Sequence, residues 1–328
     1  MATKSNPTAL PHVLDGERHE FNEDGIGVVS YYVQRPEPDA GGENQRPLLL
    51  IHSINAAASA HEVRPLYDAY AAQRPVYAID LPGYGFSERS DREYVPRLMV
   101  DAIHALIDRI RADHGNQPID ALAVSLSSEF LARAARESPA TLRSLALVSS
   151  TGFSRGTPRH GRPESNRGRP WLYRALSAPG FGKALFSALT TPASIRFFLK
   201  KTFGSKQIDE KLFEDSCRMA SHPGAHRAPF YFLSGFLFSA DIRRVFRELG
   251  HPIWLTHGVR GDFTDFSGAD ALSDRPNWRV TVFQTGALPY FEVPRQFVRA
   301  YDDFLADVEA GRPVNPDASN AAAAPNAG

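Results

Sequence analysis

The chain has 328 residues, and its 37 Lys and Arg balance 37 Asp and Glu to give a formal net charge of +0. This balance excludes an overall field that would attract nucleic acid or an anionic membrane. The single cysteine, Cys217, excludes a disulfide framework, and no apolar stretch approaches the ~20 residues of a membrane span, so we expect a cytoplasmic protein with no membrane span.

Between residues 27 and 151, patterns typical of strands alternate with patterns typical of helices. The predicted strands are Gly27–Gln34, Pro47–His52, Pro75–Asp80, Ile119–Val124 and Leu142–Ser149, and the predicted helices are Arg97–Ala112 and Ser128–Ala135. Several strands are continuous apolar runs, which is typical of strands covered on both faces. The alternation resumes with strands Pro252–Thr256 and Trp278–Phe283 and helix Pro294–Glu309. The pattern predicts an α/β fold with a mostly parallel, doubly covered sheet.

The interval 152–250 interrupts this alternation and predicts an inserted helical cap. It opens with a loop, Ser154–Pro170, that contains five arginines. These arginines would suit polyanion binding, but no aromatic residue lies between them as a stacking platform requires, so we interpret the segment as a solvated loop. Helical segments rich in Phe and Leu follow at Trp171–Leu176, Lys183–Leu189, Ile195–Phe203, Ile208–Ala220 and Phe230–Phe238.

Both ends of the chain are expected to be disordered tails. Residues 1–10 are polar and irregular, and residues 313–328 are rich in Ala, Asn and Pro without a hydrophobic pattern. The predicted organisation is therefore a sheet core formed by residues 11–151 and 251–312, with the cap between its two parts.

Polar segments follow four of the predicted strands, where ligands of open α/β sheets bind. They are His52–Asn55, Asp80–Ser87, the turn at Ser125, and His257–Asp262. The run Ile119–Leu131 predicts a strand, a sharp turn and a helix, with Ser125 at the turn. This is the setting of a nucleophile elbow, whose serine needs a base within hydrogen-bond reach.

Taken in order, these segments resemble the α/β-hydrolase superfamily over nearly the whole chain. Leu50–Ser53 is similar to the oxyanion loop, and Asp80–Ser87 to an Asp-x-Pro-Gly-x-Gly-x-Ser segment. Ala123–Ser127 stands in for Gly-x-Ser-x-Gly, Thr256–Asp262 is similar to the segment that carries the triad acid, and Thr285–Pro294 to the one that carries the triad histidine. The resemblance implies an α/β-hydrolase fold and a hydrolase of the serine esterase type.

The resemblance also assigns roles to single residues. Ser125 would be the nucleophile and Asp262 the acid, with Asp265 and Asp241 as its rivals. The backbone N–H groups of Ile54 and Leu126 would form the oxyanion hole. The base position is taken by Ala287, and no histidine follows His257 in the chain. Loss of a triad member ordinarily costs several powers of ten in rate.

Three interpretations of the missing histidine remain open at this point. Another group could act as the base, the candidates being His257, His52 and Tyr290, with His61, His222 and His226 also near the same end of the sheet or in the cap. The mechanism could be modified. The protein could instead be a non-catalytic, ligand-binding member of the superfamily.

The leading prediction is a serine hydrolase that acts on a small, apolar carboxylic ester or related acyl substrate. No phosphate-binding glycine loop and no His/Cys ligand spacing occurs in the sequence, so we expect no cofactor and no metal. Substrate identity and oligomeric state are left open by the sequence.

Overall fold

The computed structural model describes residues 12–37, 46–158, 160–272, 274–316 and 318. The predicted tail 1–10 lies outside these residues. The predicted tail 313–328 lies partly inside them, at residues 313–316 and 318. Val314 is buried, and the Asn315 N–H donates to the Pro276 carbonyl, so this end packs against the loop before the last strand.

The described residues form an eight-stranded sheet. Its strands are β1 Glu17–Glu23, β2 Gly27–Gln34, β3 Leu48–Ile51, β4 Val76–Ile79, β5 Ile119–Val124, β6 Leu142–Val148, β7 Ile253–Gly258 and β8 Trp278–Phe283. The order across the sheet is β1-β2-β4-β3-β5-β6-β7-β8, and the last six strands in that order are parallel. The predicted mostly parallel sheet is confirmed.

Eleven helices accompany the sheet in the described part of the chain. They are α1 Arg64–Ala71, α2 Pro96–Asp113, α3 Ser127–Glu137, α4 Pro170–Leu176, α5 Phe181–Leu189, α6 Pro192–Phe203, α7 Glu210–Ala220, α8 Arg227–Leu233, α9 Ile242–Glu248, α10 Pro289–Glu292 and α11 Pro294–Glu309. None of these helices is both long and apolar enough to cross a bilayer.

Two apolar cores cover the two faces of the sheet. Residues of α2, α3 and α9 pack with one face, and residues of α1, α10 and α11 pack with the other. Strands β3, β4 and β5 are buried along their whole length, as the continuous apolar runs predict. The sheet is therefore doubly covered, and its carboxyl edge is left to the loops.

The predicted cap range 152–250 contains helices of two kinds. Helices α4 to α8 lie between β6 and α9, and we call them the helical insertion. Helix α9 instead packs on α3, because its Ile242, Val245 and Phe246 join the core of the sheet and Arg133 pairs with the buried Asp241 at 2.6 Å. The core layer therefore begins again at α9, a few residues before the boundary that the sequence indicates.

Candidate active site

Ser125 lies at the sharp turn between β5 and α3. Its φ of +56° falls in the left-handed region that a residue other than glycine seldom adopts, so the backbone is strained there. The strain is held by neighbouring strands: the Ser125 N–H donates to the Val148 carbonyl at 2.8 Å, and its carbonyl accepts from Thr151 at 3.4 Å. The side chain is half-buried, and its hydroxyl has no hydrogen-bond partner among the described residues.

The loop after β3 is fastened to this turn by side chains. Ser127, in place of an elbow glycine, donates its hydroxyl to the His52 carbonyl at 2.5 Å. The buried Glu62 carboxylate accepts from the Ser53 N–H at 2.9 Å and from the Asn55 side chain at 2.5 Å. Sequence reasoning missed Glu62, because a glutamate before a short helix carries no sign that it will be buried.

Backbone donors are left over at this junction, among them those of Ile54 and Leu126. The N–H groups of Ile54 and Leu126 have no acceptor in the part of the chain that the structure describes. Unpaired amides are rare in a protein interior, and Leu126 is fully buried while Ile54 is nearly so. A pair of such donors beside a serine hydroxyl is suited to an anionic oxygen.

Ala287, the predicted base position, has hydrogen bonds on both of its backbone groups. The Ala287 N–H donates to the Thr202 carbonyl at the end of α6 at 2.9 Å, and its carbonyl accepts from the Ser149 hydroxyl at 2.6 Å. Ala287 is only 5% exposed. A Cβ on the preceding Gly286 would lie 2.4 Å from the Phe203 carbonyl oxygen, so α6 closes over this loop.

The acid candidates lie toward solvent. Asp262 faces Lys201 at 3.4 Å, and its N–H donates to the Lys201 carbonyl, so Asp262 and Ala287 both contact the last turn of α6. Asp265 accepts from the Arg155 N–H at 2.9 Å and from Ser267. In the described residues, no hydrogen bond links either carboxylate to a histidine. The acid role of Asp262 stays a prediction.

The candidate bases differ in how much of their hydrogen-bonding capacity is already used. His52 is fully buried, with Nδ1 on the Ser53 carbonyl at 2.6 Å and Nε2 accepting from the Leu81 N–H at 3.0 Å. Burial lowers the pKa of His52 to about 4. Tyr290 is also fully buried and donates to the Glu62 carbonyl at 2.9 Å, and burial raises its pKa well above the ordinary value.

His257 keeps one ring nitrogen free. It is half-buried at the end of β7, stacked on Phe266 at 3.9 Å, and its Nδ1 lies 2.9 Å from the Gly258 carbonyl. That contact makes Nδ1 the donor and leaves Nε2 an unprotonated acceptor. Burial lowers the pKa of His257, so the ring is neutral at pH 7. No hydrogen bond is recorded for Nε2 within the described residues.

His257 stands level with Ser125 along the carboxyl edge of the sheet. Ser125 bonds to Val148 of β6, and Ser149 bonds in the same way to Thr256 of β7. Strands are spaced ~4.8 Å apart, so the two backbones are roughly 10 Å apart across two strand spacings. All eleven histidines lie within the described residues, and none of the ring contacts joins Ser125.

A family model described as the alpha/beta hydrolase fold matches residues 46–183, which include the Ser125 turn. The chain has the α/β-hydrolase fold over these residues. A curated relative of the chain is the pimeloyl-[acyl-carrier protein] methyl ester esterase of Neisseria meningitidis. The two are 27% identical over 273 residues, which cover 80% of this chain and 78% of the relative. Family and relative together class the protein as a hydrolase and give no support to the non-catalytic alternative.

Solved structures agree with the α/β-hydrolase fold of this chain. A probable hydrolytic enzyme from Pseudomonas aeruginosa PAO1 superposes with a TM-score of 0.68 at 18% identity, covering 88% of this chain and 94% of that one. A thermophilic esterase from Thermogutta terrifontis gives 0.65 at 15% identity, covering 89% and 99%. At these identities the likeness shows the fold alone.

The hydrolase has a second buried carboxyl close to the turn. Glu129 is 1% exposed, with Oε1 accepting from the Thr151 hydroxyl at 2.5 Å and Oε2 from the Ser239 N–H at 2.8 Å. Burial raises the pKa of Glu129 to about 7. Thr151 also donates its N–H to the Ser125 carbonyl, so Glu129 supports the elbow through Thr151. Its place in the first turn of a helix is ordinary, and the sequence offers no other signal.

Proposed function

We propose that this hydrolase cleaves apolar carboxylic esters with Ser125 as the nucleophile. The observation that supports this most is the strained turn at Ser125, where φ is +56° and the half-buried hydroxyl has no partner among the described residues. Strained backbone of this kind persists where a site requires it. An ordinary turn serine would bond its hydroxyl to a neighbouring backbone group, as Ser165 does with the Arg162 carbonyl.

The free N–H groups of Ile54 and Leu126 support a role as the oxyanion hole. Attack of the Ser125 hydroxyl oxygen on an ester carbon pushes negative charge onto the carbonyl oxygen. Two preorganised donors stabilise that charge without having to reorganise. The Ser127–His52 hydrogen bond ties together the two segments that carry these donors.

His257 is the base that the geometry favours. Both ring nitrogens of His52 and the hydroxyl of Tyr290 are occupied in buried structure, whereas Nε2 of His257 has no hydrogen bond to any described residue. In this scheme Nε2 takes the Ser125 proton, directly after a ring rotation or through one water. The proton then leaves with the alcohol, and water hydrolyses the acyl-serine to release the acid and regenerate Ser125.

The apolar side chains of the insertion that cover the loop after β3 support an apolar substrate. Ala56 packs with Phe186 and Phe230 of the insertion, and Ala57 packs with Ile195. An acyl chain that enters between the loop and the insertion would therefore meet apolar side chains. The relative from Neisseria meningitidis is named for a methyl ester, which agrees with ester cleavage here.

The test is hydrolysis of p-nitrophenyl esters of increasing acyl length by wild type, Ser125→Ala and Ser138→Ala. Ser138 is a matched control, because it is a half-buried serine at the other end of α3. We expect turnover by wild type and Ser138→Ala, loss in Ser125→Ala, and a preference for longer acyl chains. Folded wild type that binds the esters without turnover would refute the proposal.

A further inference from the structure

The positive charge of the chain is concentrated in one segment, although the net charge is zero. Residues 152–208 contain eleven Lys and Arg and one acidic residue, Glu164. The rest of the chain must therefore carry a matching excess of Asp and Glu. The basic cluster noted in the loop 154–170 is only the beginning of this segment, which continues through α4, α5 and α6.

Most of these cations are free to act on a partner. Arg196 pairs with Glu210, and Lys201 with Asp262. The other eight cations of the segment that the structure describes form no ion pair with a described carboxylate, and all eight are exposed: Arg155, Arg162, Arg167, Arg169, Arg174, Lys183, Lys200 and Lys206.

The same helices expose large aromatic rings. Trp171 on α4 is 63% exposed, Phe181 on α5 58%, and Phe197 and Phe198 on α6 55% and 51%. The only other large apolar aromatic side chain this exposed in the described residues is Phe263. Helix α5 is mostly apolar, yet only Gly182 and Phe186 are buried in it. Exposed aromatics clustered in this way mark an interaction surface.

Helices α4, α5 and α6 pack in sequence order, and we call their exposed residues the α4–α6 surface. It contains an open recess of about 490 Å³ at the end of α6, lined by Phe197, Lys200, Lys201 and Lys206 together with Ser205 and Asp262. A helix that lies on a membrane typically combines aromatic rings, which insert into the bilayer, with cations, which stay at the level of the headgroups.

We propose that the α4–α6 surface docks this protein on an anionic lipid bilayer. The rings enter the headgroup region, and the unpaired lysines and arginines attract the negative lipids. The charge decides the occupant, because eleven cations and one acidic residue in the segment that carries the four exposed rings match a surface that is both acidic and apolar. The binding is peripheral, and it is independent of whether Ser125 reacts.

The test measures co-flotation of Ser125→Ala protein with phosphatidylcholine vesicles, with or without 30% phosphatidylglycerol. Using Ser125→Ala separates membrane docking from the proposed ester cleavage. We expect binding to the anionic vesicles only, weakened by raised salt. Lys200→Gln/Lys206→Gln should lower the partition coefficient on the order of tenfold, since each lysine near a membrane contributes roughly a factor of several. Phe197→Ser/Phe198→Ser should lower it as well.

Matched controls lie outside the α4–α6 surface. Arg295→Gln/Arg299→Gln removes two exposed cations of α11, and Val280→Ser/Val282→Ser removes two exposed apolar side chains of β8. Neither pair should change vesicle binding. Equal binding to both vesicle types, equal loss in the controls, absence of binding by folded protein, or retention on heparin without vesicle binding would each overturn the proposal.

Discussion

The hydroxyl of Ser149 donates to the backbone carbonyl of Ala287 at 2.6 Å. Ser149 follows β6 with a φ of +48°. Ala287 is the residue that the sequence resemblance aligns with the triad histidine. The Ala287 N–H is taken by Thr202 of α6, so both backbone groups of this residue are bonded. The loop is thus fastened between the sheet and the insertion.

This packing predicts that Ala287→His does not restore a triad. An imidazole at a position only 5% exposed overpacks its surroundings, which typically costs about 1–3 kcal/mol. We expect a lower free energy of unfolding in urea and no gain in ester hydrolysis, with Ala287→Gly retaining the wild-type rate. A tenfold or greater gain in a stably folded Ala287→His protein would mean that the position faces Ser125 after all.

His257→Gln should lower kcat by ~10²–10⁴-fold, the usual contribution of a general base. His251→Gln is the control, because His251 lies just before the other end of β7 and its ring contacts the Pro139 carbonyl. Esterase kinetics and circular dichroism of both variants check this. Full activity in His257→Gln would remove His257 from the mechanism.

The pH profile of the wild type should carry the signature of a buried base. Because burial lowers the pKa of His257 below 6.5, the ring stays neutral to lower pH than an exposed histidine. The value of kcat/KM should therefore fall on acidification with a midpoint below pH 6.5. A midpoint above pH 6.5 on the acid side would point to a different group.

Glu129→Gln should change how stability depends on pH. Burial raises the Glu129 pKa from 4.5 to about 7, so folding opposes ionisation of this carboxyl. Below pH 4.5 the ionisation of Glu129 does not affect stability, because the carboxyl is protonated in both states. As the pH rises from there through 7, the free energy of unfolding falls by at most about 3 kcal/mol.

Urea unfolding of Glu129→Gln and wild type at pH 4.5, 5.5, 6.5 and 7.5 measures this effect. The free energy of unfolding of Glu129→Gln should increase relative to that of the wild type as the pH rises. Glu248→Gln, which changes an exposed carboxylate, should run parallel to wild type. Parallel curves for Glu129→Gln would show that Glu129 ionises in the folded state as it does in the unfolded one.

The parts of the fold that depend on local pattern could be predicted from the sequence. β5 and β8 have the bounds that their apolar runs indicate, and Ser125 lies at the predicted turn. β1 was missed because it is an edge strand with one buried residue and no apolar pattern. The net charge of zero did not indicate the basic segment 152–208, because a sum does not show where the charges lie in the chain.

The partners of Ser125 could not be predicted in the same way. Ala287, Asp262 and the end of α6 meet only through contacts between segments distant in sequence. The burial of Glu62 and Glu129 also depends on such contacts. A motif therefore locates the nucleophile, while the groups that activate and support it have to be found from the folded chain.

Covalent labelling of Ser125 tests the central claim most directly. The purified protein is incubated with a fluorophosphonate, and the adduct is located by intact mass and peptide mapping, with Ser125→Ala and Ser138→Ala alongside. A serine activated for acyl transfer should take up one equivalent of the probe at Ser125, in wild type and Ser138→Ala but not in Ser125→Ala. Folded wild type that stays unlabelled, or labelling that persists in Ser125→Ala, would contradict the account.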